Sequence, residues 1–316
     1  MKKLLELAVD ETFEIFVLIK GAEVRLAKNG KKFIAFTFQD TTGTIDGKFW
    51  DASEEDIARF TPGKVVLLNG KREVYQGNPQ VKIFKMREAK ETEPYQVGQY
   101  IEKAPLEKSV MEEAFSQYLF KIERASWNRI VRFLLTKFHE EFFEFPAAKR
   151  LHHAFYGGLA YHTLTLLHLS ESIVKEYEKT IPVNSSLLYA GCIIHDLGKV
   201  LELTGYTSTN YTLAGNLIGH LVLIDEEIIA ACKELKIDPK DEDVILLRHM
   251  VLSHHGKREF GSPVVPQLLE AEILHQVDNL DASMQMMNNA LKQTGPNEYS
   301  ERVFGLDNRN FFRPEI

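Results

Sequence analysis

The sequence predicts an α+β chain in two parts: a five-stranded β-barrel at the N-terminus, followed by an all-α domain. Three observations carry this reading. Up to about residue 90, apolar and polar side chains alternate with a period of two. From Ser109 onward, apolar residues recur at three- and four-residue spacing. All eleven histidines fall after residue 87, and several are ordered along the helical part as metal ligands would be.

The strands come first. Phe13 to Lys20 is rich in β-branched and aromatic residues. Between Lys31 and Asp40, Ile34, Phe36 and Phe38 take one face and Ala35, Thr37 and Gln39 the other. Asp40-Thr41-Thr42-Gly43 signals a turn into Thr44–Trp50. Ser53 followed by Asp56 starts a short helix that ends near Thr61-Pro62-Gly63. Lys64–Tyr75 and Gln80–Arg87 are two further strands, separated by Gln76-Gly77-Asn78-Pro79. Five strands with a helix between the third and fourth resemble an OB-fold. The phrase FTFQDTTGTIDGKFW, Phe36 to Trp50, resembles the second and third strands of nucleic-acid-binding OB domains. That resemblance implies a platform for stacking bases and tracking phosphates. Lys48, Trp50 and Tyr75 are its candidate contacts, with Lys71 and Arg72 nearby; for Trp50 and Tyr75 the alternative is a place in the barrel core or rim.

The chain of 316 residues carries a formal charge of −7, unevenly spread. Thr12 to Arg87 holds 13 Lys/Arg against 9 Asp/Glu, whereas the part from Glu88 onward carries −10. A mildly basic module joined to an acidic, His-rich one suits a polyanion binder attached to a cation holder, although +4 on a small domain is also ordinary surface variation. The only cysteines are Cys192 and Cys232. They exclude a disulfide framework and suit a reducing cytoplasm. No run of about 18 apolar residues predicts a transmembrane helix. Met1 to Asp10, broken by Glu6, does not have the pattern of a signal peptide.

Residues 1–90 are expected to form the barrel, 91–145 a linker with leading helices, and 146–316 the helical domain, with its core at about 150–290. Pro94, Pro105 and a charged run mark the linker. Helices are expected over Tyr161–Tyr177, Ser185–His195, Asn216–Leu235, Glu242–His254 and Gln267–Lys292, with prolines between them.

His162 in GGLAYHT, His195-Asp196 in HDLGK, His220 in GHL, His254-His255 in SHHG and Asp278 in VDNLDA lie on or at the ends of these helices. Burying such groups without partners is costly, and a metal ion supplies the partner. Imidazole with carboxylate and no thiolate pair suits Mn²⁺, Fe²⁺, Co²⁺ or Zn²⁺. Five histidines and two carboxylates exceed the needs of one ion; a pair sharing a carboxylate suits in-line attack on a phosphodiester. His139, His168, His249 and His275 are ordinary core or surface residues in this reading.

The order His, His-Asp, His, His-His, Asp resembles the HD-domain superfamily of metal-dependent phosphohydrolases over roughly Arg150 to Met287. HDLGK is its most specific piece. The resemblance implies that His162, His195, Asp196 and Asp278 hold one ion. It also implies that Asp196 bridges to a second held by His220, His254 and His255; which of the two adjacent histidines is the closer ligand stays open. Lys199 would bind phosphate or stabilise the leaving group, its alternative being a helix-end lysine. The segment Pro146 to Thr163, PAAKRLHHAFYGGLAYHT, with the OB-like module, resembles the YhaM family of bacterial 3′-to-5′ exoribonucleases over nearly the whole chain. That resemblance implies Mn²⁺-dependent trimming of single-stranded RNA, and to some extent DNA, from the 3′ end, with nucleoside 5′-monophosphates as products. Lys149 and His153 would contact the scissile phosphate or terminal nucleotide, or act structurally.

Two rivals remain. One is a phosphohydrolase of a small nucleotide, weakened by GKREFGSP after His255 in place of a GYP-like string and by the lack of a job for the barrel. The other is a nucleic-acid-binding regulator without catalysis. The methionines Met284, Met286 and Met287, with the tail from Phe304, suit a homo-oligomer interface or the core.

Overall fold

A computed structural model describes residues 2–27, 30–75, 78–149, 153–207 and 209–315. The expected Gln76-Gly77 turn lies outside these, as does the side chain of Tyr75. The chain forms two compact units, Met1–Lys103 and Ala104–Ile316.

In the first unit, β1 (Thr12–Leu26) pairs antiparallel with both β2 (Lys32–Asp40) and β4 (Val65–Tyr75). A register shift between Ile19 and Gly21 bends β1 so that one strand serves both neighbours. β2 pairs with β3 (Gly43–Trp50), and β4 with β5 (Asn78–Glu88). A short parallel match of Asp46–Lys48 with Gln80–Lys82 closes the barrel in the order β1-β2-β3-β5-β4. The alternation works as expected: Ile34, Phe36 and Phe38 are buried with Val17, Ile19, Val66, Leu68 and Val81.

Gly70 sits at a bulge in β4, where an added Cβ would lie 2.7 Å from the Lys82 carbonyl oxygen. Only glycine allows that approach. Helix α1 (Glu54–Arg59) starts at a Ser53/Asp56 capping box. Phe60 follows it and packs edge-on against Phe36 and Phe49. Buried Asp40 accepts from the backbone N–H groups of Leu4 and Thr42, at 2.6 and 2.8 Å, tying the N-terminal segment to the β2–β3 turn.

The second unit is helical: α2 (Lys108–Lys121), α3 (Ala125–Lys137), α4 (His139–Glu144), α5 (Gly158–Tyr177), α6 (Ser185–Ile194), α7 (Lys199–Glu202), α8 (Leu213–Leu217), α9 (His220–Leu235), α10 (Glu242–Ser253) and α11 (Leu269–Lys292). A two-stranded hairpin, β6 (Glu298–Tyr299) with β7 (Phe312–Arg313), follows. Leu187 to Ile194 of α6 are all buried. A helix apolar on every side belongs at the centre of its domain, and α6 packs against α2, α3, α5, α10 and α11. The helices from Lys108 onward contribute Met111, Phe115, Trp127 and Phe142 to this same core. The division between units therefore falls at Lys103, later than residue 90, and the leading helices belong to the second unit.

The single helix expected over Asn216–Leu235 is two. Gly219, at φ 82° and ψ 155°, ends α8 and restarts the chain as α9 at His220.

Candidate metal centre

Five separate elements deliver polar groups to one buried point. His195 caps the C-terminal end of α6 and Asp196 follows it. Gly198 lets the start of α9 approach, since a Cβ there would lie 2.2 Å from the His220 carbonyl oxygen. α5 brings His162, α9 begins with His220, α10 ends at His254-His255, and α11 carries Asp278.

Asp196 sits between two sets of imidazoles. Its Oδ2 faces His195 Nε2 at 3.3 Å and His162 Nε2 at 3.7 Å. Its Oδ1 faces His220 Nε2 at 3.4 Å and His254 Nε2 at 3.6 Å. Asp278 Oδ1 lies 3.2 Å from His162 Nε2. One donor atom each from Asp196, His220, His254 and His255 lie within 4.8 Å of one another, as do those of His162, His195 and Asp196, and those of His195, His254 and Asp278. The structure thus brings together all seven residues expected as ligands.

The far side of each ring is occupied. His162 Nδ1 donates to Asp281 at 2.6 Å, His195 Nδ1 to the Cys192 carbonyl at 2.8 Å, and His220 Nδ1 to Glu202 at 3.0 Å. His254 Nδ1 donates to the Val251 carbonyl at 2.7 Å and His255 Nδ1 to the Phe260 carbonyl at 2.9 Å. With Nδ1 engaged behind it, each ring turns Nε2 inward, the orientation of a metal-ligating histidine. Meanwhile Asp196 Oδ1 and the Nε2 atoms of His195, His220 and His254 are buried with no hydrogen-bond partner. Each such atom costs about 1–3 kcal/mol if left unsatisfied. Four of them in one cluster fit divalent cations, which the O/N donor set favours.

The electrostatics agree. Burial opposes the charge on Asp196 and Asp278, yet their neighbours hold both well below the usual carboxylate range: the Lys199 ammonium and the His195 ring beside Asp196, the His162 and His195 rings beside Asp278. Burial, with His254 and His220 alongside, pushes His255 down to about 3, leaving it neutral. Burial lowers His254 as well. His162 resists its burial because Asp278 and Asp281 flank it, and is raised to about 9.

Around this centre, Lys199 Nζ lies 2.6 Å from Asp196 Oδ2. Lys149 Nζ lies 3.2 Å from Asn210 Oδ1 and 5.7 Å from the centre of the Tyr211 ring. His153, expected either at the substrate or in a structural role, has a fully buried ring with Nε2 2.6 Å from Asp281 Oδ2. Its geometry is that of a group behind the ligands. Two acidic residues were missed. Asp281 follows Asp278 by three residues, so the spacing that puts both on one helix face was available as a signal. Glu202 had no signal beyond its place after HDLGK. His275, read as ordinary, donates from Nδ1 to the His254 carbonyl at 2.9 Å and so supports the doublet.

On the barrel, Trp50 is 56% exposed. Its ring stacks on Phe33 at 4.7 Å, and Lys48 Nζ lies 5.8 Å from it. Lys71 pairs with exposed Asp10 at 2.7 Å. The Arg72 guanidinium donates to the carbonyls of Leu5 and Leu7 and so pins the N-terminal segment.

The HD-domain profile matches residues 159–283, and that of the OB-fold nucleic acid binding domain matches 17–89. The chain is 46% identical over 313 residues to the 3′-5′ exoribonuclease YhaM of Listeria monocytogenes serotype 4b, covering 99% of this chain and 98% of that protein. The proteins of the same name from Listeria innocua and Listeria welshimeri match with the same identity and coverage. With an OB-type barrel, a helical unit around an HD centre and this similarity along the whole length, the chain belongs to the YhaM family of 3′-5′ exoribonucleases.

Proposed function

We propose that the protein is a divalent-metal-dependent 3′-to-5′ exoribonuclease that hydrolyses single-stranded RNA, and single-stranded DNA as a secondary substrate, to nucleoside 5′-monophosphates. The observation that carries this reading is the split of Asp196: one oxygen faces His162 and His195, the other His220 and His254. That is the arrangement a carboxylate takes between two ions. His162, His195, Asp196 and Asp278 would hold one, and His220, His254, His255 and Asp196 the other, with Mn²⁺ the metal the family resemblance favours. When bound, such ions supply Lewis-acid charge at the phosphoryl oxygens and a nucleophile at neutral pH.

The chain's own residues supply the rest. The imidazoles are held by their Nδ1 bonds, so their donor atoms need no reorganisation when substrate arrives. Lys199 stays charged, because Asp196 outweighs its burial. Its ammonium lies 2.6 Å from Asp196 Oδ2, where it would stabilise a phosphoryl or leaving 3′ oxygen once divalent ions were bound. Trp50 and Lys48 offer a stacking face and a phosphate contact on the barrel. Among the described residues no helix is long and apolar enough to cross a membrane, and both cysteines are free, which supports a cytoplasmic setting.

Digestion of 3′-extended RNA and matched DNA, with Mn²⁺ or with chelator, tests the proposal. The expected result is cation-dependent shortening from the 3′ end with 5′-monophosphates released, faster on RNA. Release of 3′-monophosphates or of internal fragments would overturn it.

A further inference from the structure

We propose that Asp281 and His153 are positioning residues of the metal centre: Asp281 fixes the ring of His162, and His153 fixes Asp281. The inference rests on the metal reading above and assigns a role to a carboxylate outside the expected ligand set.

His162 is held between two acids of one helix. Asp278 Oδ1 lies 3.2 Å from Nε2, and Asp281 Oδ2 lies 2.6 Å from Nδ1. The same Asp281 oxygen also takes His153 Nε2 at 2.6 Å. Both rings are fully buried and the Asp281 side chain is 5% exposed. Asp281 therefore accepts two N–H bonds in a site shielded from water, where a fixed carboxylate both orients an imidazole and raises its basicity towards a metal.

The His153 backbone is built for this task. It is a non-glycine residue in the left-handed region, at φ 46°, and such conformations persist only where the surroundings impose them. Its carbonyl accepts from the Ala147 N–H at 3.0 Å. A Cβ on Gly158, at the start of the helix that carries His162, would lie 2.0 Å from that carbonyl oxygen. The turn is thus locked against the N-terminus of α5, and the His153 ring is delivered behind the His162 ring, 5.3 Å between centres.

His153, His162 and Asp281 also have the residue types of a metal site, but their spacing is that of shared protons. Two atoms bound to one ion at about 2.0–2.2 Å each stand roughly 3 Å or more apart at tetrahedral or octahedral angles. Both contacts here are 2.6 Å. His162 Nδ1 would also have to surrender its proton while Nε2 serves the ion on the other side.

The test is titration of the metal-stripped full chain with Mn²⁺, followed by calorimetry and by the electron paramagnetic resonance of free ion. The wild type is expected to take two ions. Asp281→Asn should weaken one of the two about 10–100-fold and leave the other within a few-fold. His153→Asn should weaken the same ion by a smaller factor. In digestion assays Asp281→Asn should regain kcat at high Mn²⁺ with an unchanged KM for RNA, which a merely structural role would not produce. Unchanged Mn²⁺ affinities in Asp281→Asn, or equal loss at both ions, would overturn the proposal. If Asp281→Asn does not fold, by circular dichroism, His153→Asn decides alone, since it leaves the Asp281–His162 bond in place. A wild type that binds no Mn²⁺ would instead sink the metal reading itself.

Discussion

At the scale of single residues, Asp196 is the group on which the centre turns. Asp196→Asn keeps the shape but removes the charge that both sets of imidazoles face. It should lower kcat by at least about 100-fold, the scale of losing one preorganised electrostatic contact, with little change in circular dichroism. Wild-type turnover in that variant would remove Asp196 from the chemistry. Gly198 offers a steric counterpart. Its backbone is ordinary helix, at φ −59°, so strain plays no part. The Cβ of Gly198→Ala would lie 2.2 Å from the His220 carbonyl oxygen and would push α9 away. A loss of about 1–3 kcal/mol in stability, with weaker Mn²⁺ binding, is expected from denaturant melts and metal titration. The seven proposed ligands, which the structure brings to one point, were legible in the sequence through their order along successive helices, because buried histidine and aspartate demand a partner. Glu202 was not, because a carboxylate on a helix otherwise looks like a solvated one; Asp281 had only its three-residue spacing from Asp278 to mark it. The anchoring of Arg72 was not legible either, because its acceptors are backbone carbonyls 67 and 65 residues away.

At the scale of elements, periodicity located the five barrel strands, with β1 running on to Leu26, and most helices; the terminal β6–β7 pair had no such signal. It failed where one glycine resets the backbone. α8 and α9 share an apolar pattern, and only Ile218 and Gly219, the latter at φ 82°, separate them. The break sets the His220 N–H 3.2 Å from Glu202 Oε1. Gly219→Ala should cost about 1–3 kcal/mol and loosen His220; an unchanged melting temperature would refute the need for that break. Helices α2 and α5 are joined by Glu171, which accepts from Lys121 at 2.9 Å and Tyr118 at 2.8 Å, with Lys175 at 3.0 Å. Hydrogen bonds from Lys121, Tyr118 and Lys175 lower its pKa to about 2 from 4.5. The folded value is depressed, so the link contributes in full above pH 4.5 and is lost as pH falls through 2. Wild type should therefore melt above Glu171→Gln at neutral pH, and the gap should close between those limits. A gap that persists at pH 2 would assign it to shape instead of charge.

At the scale of the molecule, the proposed function divides binding from chemistry: the barrel exposes Trp50, and the helical unit buries the candidate metal centre. If Trp50 stacks on a base, Trp50→Ala should weaken RNA binding about 5–100-fold with kcat at saturation unchanged. Lys48→Ala should instead flatten the dependence of log affinity on log salt by about 0.7. Fluorescence anisotropy at several salt concentrations separates the two, and equal salt slopes in both variants would count against the phosphate role of Lys48.

The histidine anchors differ in kind. Those of His195, His254 and His255 are main-chain carbonyls, which no codon change can delete. Those of His162 and His220 are the side chains of Asp281 and Glu202. Side-chain substitution behind the rings can therefore remove an anchor directly at two positions, one beside each proposed ion, while the anchors of the other three rings belong to the backbone.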